Sequence, residues 1–241
     1  MEPISLSPSK LNLFRECQRC FHDAYAGNCP RPRGIMASLP GGMDLILKAY
    51  VDQYRGALPP GLESALPGKL FSDMALMKKW RFWKTGLTYL DPENQIKLIG
   101  ALDDCLVDND IYIPLDWKTK GSEPEDDGSQ YYQTQLDCYN LMLNASGKNI
   151  RNEGWLVYVY PKIANAHKVP TKTDGLFTGE YSYVMKSSLI QFGMKPFKLI
   201  CDPERAREIV TKAAECLRGP RPKSPEKCEH CRYLRMVNEL G

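Results

Sequence analysis

Apolar residues recur at helical spacing through Leu11, Phe14, Cys17 and Phe21, which predicts one amphipathic helix after Ser7-Pro8-Ser9. Ser7 or Ser9 supplies its cap, and Pro8 suits a first-turn position. The stretch Asn-Cys-Pro-Arg-Pro-Arg (28–33) ends it with two prolines. From Gly41-Gly42 the run MDLILKAYVDQYR repeats the period and predicts a second helix. A Pro/Gly-rich connector follows, GALPPGLESALPG, and then a segment over 72–84 that reads as helical but is crowded with aromatic residues. The period then falls to two. Three short β-rich runs near 95–101, 102–107 and 111–117 are joined by a hairpin turn at Asp108-Asn109-Asp110. An acidic, glycine-bearing loop (GSEPEDDGS) leads into a helical YYQTQLDCYNLMLNA, a dense β-run GWLVYVYP and a further strand pair over 179–199. The last clear element is a helix, ERAREIVTKAAECLR, capped at Asp202-Pro203-Glu204 and stopped by GPRPKSP. Helices, a β-meander, then helix, strand and helix predict an α/β chain without internal repeats.

Composition narrows the class. With 241 residues, 43% hydrophobic and 25% charged, the chain can bury a substantial core and is neither disordered, collagen-like nor a disulfide mini-scaffold. A net charge of +3 neither demands nor excludes a nucleic-acid partner. No apolar run approaches the ~18 residues of a membrane span. The start, MEPISLSPSK, has no signal-peptide pattern. The expectation is a cytoplasmic protein without a membrane partner.

The candidate chemistry lies in the middle. Gly100-Ala101-Leu102-Asp103 is followed 13 residues later by Asp116-Trp117-Lys118. In a strand, Asp116 and Lys118 share a face, and an antiparallel neighbour carrying Asp103 would bring the two carboxylates together. Two carboxylates beside a lysine suit Mg²⁺ or Mn²⁺, which take hard oxygen ligands and can accept phosphate oxygens. The same residues would also serve as turn acids and a strand-end charge, and spacing alone leaves the two readings level.

Four ordered pieces carry a resemblance. They are SPSKLNLFRECQRCF, the pair IGALDDCL … IYIPLDWKTK, the helix segment Gln135-Leu-Asp-Cys-Tyr139, and CEHC near the end. Together they resemble the PD-(D/E)XK nuclease superfamily, specifically its RecB/Cas4/AddB-like branch. The resemblance covers roughly 5–145 and 225–235. It implies a restriction-endonuclease-like α/β fold, a mixed central sheet flanked by helices, as one domain over 1–241. The nuclease core would span about 35–200, and a cysteine-site module would combine 7–29 with 220–241. It implies metal-dependent hydrolysis of DNA, single-stranded or with free ends, in repair, recombination or defence, alongside a helicase or recombination protein. Asp103 and Asp116 would bind the metal, Lys118 would be the catalytic lysine, and Gln135 and Tyr139 would lie beside the centre. The histidine usual in this branch is missing, since His22, His167 and His230 all lie elsewhere. Asp44 stands at the corresponding place and would replace it as a metal ligand, or else serve as a polar first-turn residue. That departure keeps a second reading open, a catalytically inactive DNA-binding or recombination subunit of the same fold.

Nine cysteines in a chain without an export pattern argue against a disulfide framework. Cys17 and Cys20 form one C-x-x-C, and Cys228 and Cys231 another; the other five are scattered. The two pairs predict one four-thiolate site joining the chain's ends. On chemistry alone Zn²⁺ fits as well as an iron–sulfur cluster. The resemblance implies [4Fe-4S], with Zn²⁺ as the alternative, although that branch places one cysteine early and three late. Finally, Lys78-Lys79-Trp80-Arg81-Phe82-Trp83-Lys84 admits two readings. Its rings would stack unpaired bases beside phosphate-binding lysines, or Trp80 or Trp83 would be core with lysines at its edge. The core reading is the more ordinary.

Overall fold

The structure is a computed structural model that describes residues 2–32, 34, 38–125, 128–162, 175–177, 183–185 and 191–240. The chain opens with β1 (Ile4–Leu6), α1 (Pro8–Glu16), α2 (Gln18–Tyr25) and α3 (Ser38–Val51). β2 (Lys69–Leu70), α4 (Met74–Arg81), β3 (Leu87–Asp91), β4 (Ile96–Gly100), β5 (Asp104–Asp108) and β6 (Ile111–Thr119) follow. Then come α5 (Gln133–Ala145), β7 (Asn149–Ile150), β8 (Glu153–Pro161), β9 (Gly175–Phe177) and β10 (Tyr183–Met185). β11 (Phe192–Ile200), α6 (Pro203–Arg218) and α7 (Glu229–Leu240) close the chain.

The main sheet runs β11-β8-β6-β5-β2, with β7 beside β6. β8 lies parallel to β6, whereas β5 pairs β6 and β11 pairs β8 antiparallel. The β5–β6 turn is tight because Asn109 (φ 48°) and Asp110 (φ 63°) both adopt left-handed backbone, the conformation a two-residue hairpin of this twist requires. A second sheet, β1-β4-β3, packs with the N-terminal helices, α5 and α6. The fold is thus α/β, a mixed sheet flanked by helices.

Alternation along β6 divides the core. Ile113, Leu115 and Trp117 face a cluster with Leu47 and Val51 of α3, together with Val157 and Val159. A larger cluster with Phe14, Phe21, Leu136, Tyr139 and Leu156 holds α1, α2, α5 and α6 to the sheets. Asp116, between Leu115 and Trp117, points to the α5 side.

Several expectations change. The single N-terminal helix is two, because Cys17 turns extended (φ −160°, ψ 105°) and its sulfur caps α2 by accepting the Cys20 N–H. The second helix starts at Ser38 and runs through Gly41-Gly42; glycine inside a helix costs only about 1 kcal/mol. The run over 102–107 is strand only from Asp104, which leaves Leu102 and Asp103 in the bend between β4 and β5. β1, β2 and β3 were not foreseen. Trp80 is the core ring, stacked on Phe71 at 5.1 Å, whereas Trp83 is 66% exposed. Part of the strand pair expected over 179–199, together with Arg33 and His167, lies outside the described residues. Among those described, no helix is long and apolar enough to cross a membrane.

Candidate active site

Register places the acidic pair. Asp104 opposes Leu115 across the β5–β6 ladder, so Asp103, one residue before it, stands opposite Asp116. Asp116 is fully buried. Burial and the neighbouring charge of Asp103 push its carboxyl up to about 8. Lys118, two residues along the same face, holds its Nζ 2.5 Å from Asp116 Oδ2 and 4.9 Å from the centre of the Tyr132 ring. Lys118 is itself partly buried, and the facing carboxylates outweigh that burial and raise its pKa.

α5 supplies the other side. Gln135 and Tyr139 share a helix face at i,i+4 spacing. Gln135 Nε2 donates to Asp116 Oδ1 at 2.9 Å and to the Tyr139 hydroxyl at 2.8 Å, and that hydroxyl donates to the Ala101 carbonyl at 2.7 Å. This close crossing depends on Gly100. A Cβ there would sit 2.6 Å from Met142 Cε and 3.1 Å from Tyr139 Cε1. The structure therefore brings Asp103, Asp116, Lys118, Gln135 and Tyr139 together.

Asp44 stands one link away. Its carboxylate pairs with Lys48 at 2.8 Å, and the same ammonium lies 3.2 Å from Asp103 Oδ1. Asp44, Asp103 and Asp116 thus do not form a tight trio. Among the described residues, the four cysteines are the group gathered closely enough to share one ion.

Behind the acidic pair lies a network that sequence reasoning did not identify. Asp104, fully buried, accepts two bonds from Arg55 (2.6 and 2.8 Å), one from Arg81 (3.3 Å) and one from Trp117 Nε1 (3.2 Å). Asp52 binds both arginines, at 2.5 Å to Arg55 and 2.9 Å to Arg81. Arg81 Nε also donates to the Asp103 carbonyl at 2.8 Å, which fixes the bend that aims Asp103. The available signal was the second aspartate of Asp103-Asp104, which alternation turns to the opposite face. Asp104→Ala strips the Arg55 guanidinium, only 7% exposed, of its bidentate partner. The expected cost is about 3–5 kcal/mol, read as a lower urea midpoint. A loss under about 1 kcal/mol would show that the network does not brace the bend.

The second cluster joins the chain's ends. Cys17 Sγ lies 3.7 Å from Cys231 Sγ, and Cys20 Sγ lies 3.8 Å from Cys228 Sγ and 3.6 Å from Cys231 Sγ. Both pairs use one local device. The first cysteine precedes a helix and its sulfur accepts the N–H of the second, at 3.4 Å from Cys20 and 3.5 Å from Cys231. Hydrogen bonds from the Cys231 N–H and the surrounding thiols outweigh burial and draw Cys228 down to about 7. Arg31 adds a guanidinium bond to its sulfur at 3.3 Å. Burial pushes Cys20 the other way. Four sulfurs at these spacings are a donor set suited to a thiophilic cation. His22 bonds the Gly219 carbonyl, and His230 sits on α7 between the last two cysteines, so neither is near Asp116.

The family model of the PD-(D/E)XK nuclease superfamily matches residues 5–236. No curated protein matches the chain. Among solved structures, the crystal structure of SSO0001 is similar at 13% identity and a TM-score of 0.45, over 98% of this chain and 87% of the other. The family match spans nearly the whole sequence, from the strand before α1 to the last helix, and on that ground the chain belongs to the PD-(D/E)XK nuclease superfamily.

Proposed function

We propose that this chain is a divalent-metal-dependent deoxyribonuclease of the RecB/Cas4/AddB-like branch that acts on single-stranded DNA or DNA ends. The observation that carries the reading is Asp116, a buried carboxylate facing Asp103, with Gln135 on one oxygen and the Lys118 ammonium on the other. Paired hard oxygen donors whose charges oppose each other fit Mg²⁺ or Mn²⁺. Asp103 and Asp116 would hold the ion, and Asp44 would join them on release from Lys48. When bound, it supplies a more acidic water and stabilises charge on the scissile phosphate. Lys118 orients that water and offsets charge developing on the phosphate. Gln135 fixes the Asp116 carboxylate, and Tyr139 fixes Gln135.

For the cysteines the same reading takes Zn²⁺ over [4Fe-4S]. Four thiolates about 2.3 Å from one tetrahedral zinc stand about 3.8 Å apart along each edge; three of the six edges here measure 3.6–3.8 Å, and all four sulfurs lie within 4.8 Å of one another. A cubane cluster gives each thiolate its own iron and spreads the sulfurs wider. In this proposal the core over 35–200 performs the chemistry, and 7–29 with 220–241 forms a zinc-bound clasp. DNA repair, recombination or defence would be its setting, with a helicase or recombination protein as partner.

The test is incubation with end-labelled single- and double-stranded DNA, with Mg²⁺, Mn²⁺ or EDTA. Shortening of the label only with metal is the expected result, and single-nucleotide steps would mark an exonuclease. DNA binding without cleavage under every condition would favour the inactive-subunit reading. The Lys48 ammonium against Asp103, where a cation would sit, speaks for that alternative.

A further inference from the structure

A groove of about 440 Å³ runs beside the carboxylate site. Ser9 and Asn12 of α1 line it, as do Trp83 after α4 and Ala101, Gln135 and Tyr139. The last three are the residues that brace Asp116, so the groove and the candidate catalytic centre share a wall. Its volume falls in the range of pockets for small organic groups.

Trp83 belongs to neither core cluster, and its neighbouring ring is the exposed Phe82 at 6.3 Å. Trp80 fills the core at 5% exposure, whereas Trp83 is 66% exposed. An exposed indole on a groove wall is a large apolar surface left in water. Lys84 Nζ stands 5.2 Å from the centre of the Trp83 ring. A flat ring and an adjoining ammonium group match two parts of an unpaired nucleotide, a base face and a phosphate.

We propose that this groove seats one unpaired nucleotide of a single DNA strand beside the scissile position, with its base stacked on Trp83. The proposal rests on the nuclease reading and makes it strand-selective, because a base inside a duplex has no free face to offer.

The test compares parent, Trp83→Ala and Trp83→Phe for binding to a labelled oligothymidylate and to an abasic strand of equal length. Ca²⁺ fills the carboxylate site in every titration. Stacking on one aromatic ring is worth about 1–3 kcal/mol per base, so Trp83→Ala should weaken oligothymidylate binding by about 5- to 150-fold. Trp83→Phe should keep most of the affinity, and the abasic strand should not distinguish the three proteins. An unchanged melting temperature for Trp83→Ala is expected from its exposure and separates the result from misfolding. If the parent binds and cuts single strands and Trp83→Ala binds as tightly, the stacking site is wrong and the nuclease reading stands. Equal losses on both strands would also overturn it, since the ring would then act on the backbone or the fold. A parent that neither binds nor cuts any strand overturns both.

Discussion

Asp116→Ala and Lys118→Ala should each slow metal-dependent DNA cleavage by at least about 10²-fold. The two losses arise differently. Asp116 is buried between strand and helix, and Gln135 already fixes one of its oxygens; its removal would take away a proposed metal donor and leave Gln135 with the Tyr139 hydroxyl alone. Lys118 donates no metal ligand, so Lys118→Ala should keep metal binding and lose turnover. Gln135→Ala should fall between, because it positions Asp116 without touching substrate, and Gln135→Glu would set a second charge against the buried carboxylate. Asp44→Ala is the discriminating variant. If metal affinity and cleavage survive it, Asp44 serves only its pair with Lys48 inside α3, whose start at Ser38 takes Asp44 out of the first turn. If both fall with Asp116→Ala, it takes the place of the missing histidine. Cleavage by folded Asp116→Ala at the parental rate would place the chemistry elsewhere.

Cys228→Ser should cost the protein its bound metal and much of its stability. The contact between Cys20 and Cys228 closes a separation of 208 residues, and closing so long a loop removes substantial entropy from the unfolded chain. Structural zinc sites contribute about 10–16 kcal/mol in small peptides, as much as the whole ~5–15 kcal/mol stability of an ordinary domain. A fall in melting temperature of more than about 10 °C is expected, and chelation should do the same to the parent. Cys105→Ser is the control: a buried thiol outside the cluster, whose loss should leave the metal content intact. Metal analysis of anaerobically purified protein should find one zinc per chain and no visible chromophore. A brown protein containing iron would replace zinc with a cluster, and a metal-free parent with an unchanged Cys228→Ser variant would remove the site.

How much of this was legible depended on range along the chain. The hairpin turn at Asp108–Asp110 was legible because left-handed backbone and alternating strands leave a local mark. Ser7 and Asp202 were legible as caps for the same reason. The N-terminal helix break was not. Leu11, Phe14, Cys17 and Phe21 keep helical period straight through it, and only the sulfur of Cys17 capping α2 reveals the turn. Within the site, Asp103, Asp116 and Lys118 were marked by strand period and by family resemblance. The brace behind them, Arg55 and Arg81 on Asp104, joins residues 49 and 23 positions apart. No local pattern reports such a contact. The aromatic run was ambiguous for a related reason: Trp80 and Trp83 lie three apart, and only the packed α4 shows that Phe71 takes the first and leaves the second in water.

Calorimetric titration of Mn²⁺ into the parent and Asp116→Ala proteins, with cleavage of a single-stranded substrate followed in the same samples, tests the central claim most directly. Saturable Mn²⁺ binding by the parent is expected, with cleavage rising along the same isotherm and both lost in Asp116→Ala at unchanged zinc content. Equal Mn²⁺ binding by the two proteins, or cleavage that persists in EDTA, would contradict it.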